Sequence, residues 1–64
     1  LQATALIDGP ATGNISINAA SKTQNTIGNV ALTLAAIINH ESTSKKVIRM
    51  SDGDTSIDEA LSSL

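Results

Sequence analysis

Not one phenylalanine, tyrosine, tryptophan or cysteine occurs in this 64-residue chain, and that absence limits what it can fold into. Aromatic rings dominate core and interface energetics, and disulfides are the usual staple of very small domains. What remains is seventeen larger aliphatics (eight Ile, six Leu, two Val, one Met) beside nine alanines. Burying each large aliphatic contributes roughly 1.5–3 kcal/mol, whereas ordering each residue costs roughly 1.5 kcal/mol. Such a chain comes out near zero when it folds alone. No cluster of zinc ligands replaces the missing disulfides. Association is the remaining common remedy, so residues 1–64 read as a single small domain or a subunit fragment. The start at Leu1 rather than methionine fits a trimmed precursor or an excised fragment.

The same composition removes several function classes. Without rings there are no stacking platforms for single-stranded nucleic acid, nor the aromatic lining of a deep ligand pocket. Net charge is −2 with four basic residues, so no phosphate-neutralising surface exists and no nucleic-acid partner is expected. Lys45, Lys46 and Arg49 form the one basic cluster and read as a solvated strand edge. The longest apolar stretch, 30–38, contains Thr33 and is far short of the about 20 residues a membrane span needs. No basic-then-apolar leader opens the chain, so no signal peptide is expected. Twenty residues are Ser, Thr or Asn, a polar uncharged background that favours an extracellular, cell-surface or virion setting. Disordered tracts share that background, but the aliphatic patterning argues for order.

Along the chain, 4–7 is a short aliphatic run closed by Asp8-Gly9-Pro10, a strong reversal signal. Residues 14–19 then alternate strictly, with Ile15, Ile17 and Ala19 on one face, as a half-buried strand does. Together these two runs predict an N-terminal hairpin. A polar break over 21–25 offers Ser21-x-x-Gln24 as a capping box, with Thr23 or Asn25 as alternative caps. The segment 26–41 follows helical spacing: Ile27, Val30, Ala31, Leu34, Ile37 and Ile38 form one stripe, and Asn29, Thr33, Ala36 and His40 the opposite one. Gly28 weakens its first turn by up to about 1 kcal/mol.

After a loop at 42–44, the alternation over 45–50 predicts a strand, and 51–54 a turn. Ile57, Ala60, Leu61 and Leu64 then recur at i, i+3, i+4 and i+7. Thr55 or Ser56 can cap that helix, and Asp58 and Glu59 sit in its first turn, where the helix dipole favours carboxylates. The predicted architecture is α+β, a small ββαβα arrangement. The central helix has more apolar face than the rest of the chain can cover, which predicts completion by oligomerisation.

Candidate chemistry is thin. Asp52-Gly53-Asp54 with Ile57 and Asp58 partly resembles a calcium-binding EF-hand loop, but Met50, Thr55 and Leu61 then fall on essential positions. Asp52, Asp54 and Asp58 are therefore weak calcium candidates, and a polar turn before a negatively charged helix start explains each of them. His40-Glu41 cannot build a zinc helix with one histidine; His40 reads instead as a partner of a helix C-terminus. Asn14-Ile15-Ser16 is a glycosylation sequon, meaningful only in a secreted eukaryotic chain. No Gly-x-Ser-x-Gly elbow or phosphate-cradling glycine loop occurs, no cofactor is indicated, and no enzyme activity is expected.

These readings converge on a non-enzymatic structural subunit of a fibre, pilus-like filament, capsid or surface assembly. It would self-associate, or join other protein subunits, through Ile15, Ile17, Ile27, Val30, Leu34, Ile37 and Ile38. The alternative from the sequence is a small soluble protein-binding module or inhibitor.

Overall fold

The computed structural model describes residues 1–18, 24–43 and 45–64, the side chain of Ser42 set aside. The predicted strand end at Ala19 and the capping residues Ser21 and Thr23 lie outside the described residues, as does the end of the 42–44 loop. In chain order the elements are β1 (Leu6–Ile7), β2 (Asn14–Ile17), β3 (Asn25–Thr26), α1 (Ile27–Ile37), a 3-10 turn at Glu41–Thr43, β4 (Met50–Asp52), β5 (Thr55–Ser56) and α2 (Ile57–Ser62). The class is α+β, and the ββαβα arrangement fits this order.

The pairing differs from the expected hairpin. β1 runs parallel to β3, with Leu6 opposite Asn25 and Ile7 opposite Thr26. β2 instead lies at the centre of an antiparallel sheet ordered β4-β2-β5. Ile15 faces Asp52 on one side and Thr55 on the other, and Ile17 faces Met50. A sequence run of four residues shows that a strand forms, but its partner depends on where the chain returns. Gly13 makes the return possible: its φ of +86° is a left-handed conformation that only glycine adopts without strain.

The core forms between this sheet and α2. Ile15 and Leu61 are wholly buried, and Met50, Ile57 and Ala60 close around them. Each large aliphatic in this cluster contributes roughly 1.5–3 kcal/mol on burial; Ile48 is buried as well, outside the cluster. The α2 spacing predicted them: Ile57, Ala60 and Leu61 point inward and Leu64 packs partly against the cluster. Ser56 is the N-cap, its Oγ accepting from the Glu59 N–H at 3.3 Å, with Asp58 and Glu59 in the first turn.

Strand β4 occupies 50–52 rather than 45–50: Met50 pairs with β2 as a strand residue, and Ser51 and Asp52 pair with it too, where the sequence suggested a turn. Gly53 follows immediately, and a Cβ there would sit 2.6 Å from the Ile15 carbonyl carbon, so the close approach of β4 to β2 requires glycine. Helix α1 ends at Ile37 instead of Glu41. The Asn39 and His40 N–H groups donate to Ala36 and Ile37 in tight turns, at 3.0 Å each.

Candidate functional site

The densest set of fixed polar side chains lies where the 8–14 loop, the first turn of α1 and the end of β4 meet. Asp52 is its hub. Its Oδ1 accepts from the Thr26 N–H and from Asn29 Nδ2, both at 3.0 Å. Its Oδ2 accepts from the Thr26 hydroxyl at 2.5 Å and from Gln24 Nε2 at 3.2 Å. An ionised carboxylate offers about four lone-pair positions, and each is used. Partial burial pushes the Asp52 carboxyl up, but the donors from Thr26, Asn29 and Gln24 outweigh it and hold the pKa at about 2. Asp52 is thus a fixed negative charge rather than a proton acceptor.

Asn29 extends the network to the preceding loop. Its Oδ1 accepts from the Thr12 and Gly13 N–H groups at 2.9 and 3.0 Å, while Nδ2 also donates to Thr12 Oγ1 and the Asn14 carbonyl. The loop can lie this close to α1 because residue 28 is glycine; a Cβ there would stand 2.7 Å from the Pro10 carbonyl carbon. Thr26, the residue capping α1, makes no side-chain bond to its own helix. Asp52 supplies from another element the negative charge that a helix start favours.

Asn25, beside this cluster, is buried and donates to the Thr4 and Met50 carbonyls at 2.8 and 3.1 Å. Its Oδ1 and the Thr33 hydroxyl have no hydrogen-bond partner among the described residues. Elsewhere, His40 Nε2 contacts Asp58 Oδ1 at 3.2 Å on the surface. An open hollow of about 300 Å³ is lined by Ile17, Asn18, Thr55, Ala60, Ser63 and Leu64, with no ionisable side chain in it.

The residues singled out from the sequence are placed differently from one another. Ile15 is wholly enclosed in the chain's own core, so it has no surface to offer; Ile17, Val30 and Ile37 pack partly against that core. Ile27, Leu34 and Ile38 are exposed. The three aspartates are not gathered: Asp52 is saturated by donors, Asp54 is exposed in a turn, and Asp58 is at His40. No group of three metal-ligating side chains occurs among the described residues, and no helix there is long and apolar enough to cross a membrane. The sequence reading missed Asn29 and Thr26. The available signal was Asn29 and Thr33, spaced i, i+4 in an otherwise aliphatic helix, where such a pair marks one shared face.

No protein-family model matches the chain, and no curated protein does. Among solved structures, it is similar to the crystal structure of the oxidoreductase ylbE from Lactococcus lactis, with a TM-score of 0.92 and 44% identity over 98% of its residues. The chain spans 29% of the length of that protein. This likeness corrects the reading of a non-enzymatic filament, capsid or surface subunit, and with it the expectation of self-assembly and of no enzyme activity. The physical reason is that an aliphatic stripe exposed on a helix carries no information about what meets it. Polymer subunits and segments of larger enzymes expose such faces alike.

Proposed function

We propose that this chain is a segment of an oxidoreductase. The observation that supports the reading is the 44% identity to the oxidoreductase ylbE, sustained over 98% of the chain at a TM-score of 0.92. Spanning 29% of that protein, the chain would be one part of a longer enzyme. It holds no Cys, Tyr or Trp, so no thiol or ring of its own can cycle between redox states. Electrons would pass between a substrate and a carrier held largely by the rest of the enzyme. The segment's own contribution is a rigid framework: the Asp52–Thr26–Asn29 network fixes the loop at 8–14 against α1.

The test is turnover by the full-length polypeptide containing these residues. Reduced nicotinamide and flavin carriers would be offered with a panel of carbonyl, quinone and imine acceptors, and carrier oxidation followed by absorbance. Acceptor-dependent oxidation that disappears when residues 1–64 are deleted is expected. No oxidation with any pairing, together with ordered polymers under the electron microscope, would overturn the reading.

A further inference from the structure

Helix α1 is inverted relative to an ordinary surface helix. Asn29 and Thr33 are wholly buried, while Ile27, Leu34 and Ile38 are 47%, 53% and 82% exposed. Those three occupy one stripe at i, i+7 and i+11, and the exposed Ala31 and Ala35 fill it in. The outer arc is therefore aliphatic and carries no charge, where a helix facing water would be polar. Unravelling does not explain this. The Cα radius of gyration is 10.4 Å, close to the about 10.7 Å of a compact chain of this length.

The neighbouring β1–β3 ladder is unusual in the same way. It is parallel, two strands wide and two residues long, and Leu6 and Ile7 are exposed on it. Parallel ladders occur in sheets covered on both faces, and a two-stranded sheet alone is marginal. The far side of β3 is already engaged: the Asp52 N–H donates to the Gln24 carbonyl and Asn25 donates to Met50. Among the described residues, β1 pairs with β3 alone.

We infer that this outer face is an internal seam of a longer polypeptide. Leu6, Ile7, Ile27, Leu34 and Ile38 seat against the remainder of the oxidoreductase, which adds a further parallel strand along β1 and packs aliphatic side chains on α1. The inference rests on the reading of the chain as an enzyme segment. What favours this occupant is length: the related oxidoreductase has more than twice as much chain outside the matched part as within it. A lipid surface is disfavoured, because the stripe carries no Lys or Arg to meet headgroups.

The seam is tested by thiol accessibility in the full-length polypeptide, read site by site by mass spectrometry. The segment lacks cysteine, so Leu34→Cys, Ile38→Cys and, as a control on α2, Ser62→Cys each introduce one probe. Labelling of the first two at least about tenfold slower than Ser62→Cys is expected, independent of protein concentration. Equal labelling at all three sites overturns the seam. Protection that grows with concentration assigns the face to a second copy, and protection that needs phosphatidylcholine vesicles assigns it to a membrane; either overturns it too. Because labelling does not depend on turnover, protected Leu34→Cys and Ile38→Cys probes in a polypeptide that oxidises no carrier and forms ordered polymers would overturn the enzyme reading, and unprotected probes in an active polypeptide would overturn the seam alone.

Discussion

Asp52, at the end of β4, holds Thr26, at the start of α1, through both of its carboxylate oxygens. One accepts the Thr26 N–H at 3.0 Å and the other its hydroxyl at 2.5 Å. Two elements far apart in sequence are thereby fixed in register, and the helix start receives a charge that its own first turn lacks. Charge-assisted bonds of this kind are the stronger ones, so this contact is where the network is most exposed to mutation and to acid.

Asp52→Asn keeps the shape but replaces an acceptor oxygen by an NH₂ facing donors. It should destabilise by roughly 1–3 kcal/mol at neutral pH, seen as a lower denaturation midpoint in urea. An unchanged midpoint would show that the donors find water just as well.

The contribution of Asp52 should also depend on pH. Its folded pKa lies at about 2 against an ordinary 3.8, so folding favours the ionised form. Solvent screening discounts the stabilisation that this shift implies; it is complete above about pH 4 and is lost as pH falls through about 2. The stability gap between wild type and Asp52→Asn should narrow over that window. A gap that stays constant down to pH 2 would contradict the pKa.

Asn29→Asp retains the acceptor for the Thr12 and Gly13 N–H groups but sets a second carboxylate 3.0 Å from Asp52. Like charges at that distance cannot both ionise cheaply. The variant should lose roughly 2 kcal/mol or more at pH 7 and regain part of it on acidification, opposite in trend to the wild type. Thermal melts at several pH values decide this; parallel trends would refute it.

Gly28→Ala pits helix propensity against space. Alanine favours a helix by about 1 kcal/mol over glycine, yet its Cβ would stand 2.7 Å from the Pro10 carbonyl carbon and 2.8 Å from Ala11 Cα. Backbone cannot rotate away as a side chain can, so the clash should win and the variant melt lower. A higher melting temperature would mean that the loop at 10–11 shifts freely.

Thr33→Val removes a hydroxyl that is wholly buried and unpartnered among the described residues. Leaving such a group unbonded costs roughly 1–3 kcal/mol, so the nearly isosteric valine should stabilise the fold. Destabilisation would reveal a partner for that hydroxyl.

Local signals in the sequence determined a good part of this protein. The aliphatic spacing and the cap of α2, the β2 alternation at Ile15 and Ile17, and the α+β class all follow from contacts within a few residues. Tertiary structure decided what those signals could not. Periodicity defines two faces of α1 but not which one turns inward. Asn29 turns inward because it meets polar groups from Thr12, Asn14 and Asp52, brought there by the 8–14 loop, β2 and β4. Strand partners were equally hidden, since pairing β1 with β3 depends on a chain return made elsewhere. The chain leaves Leu6, Leu34 and Ile38 exposed. What meets such a surface is a matter of long-range packing, and local sequence pattern does not encode a neighbour.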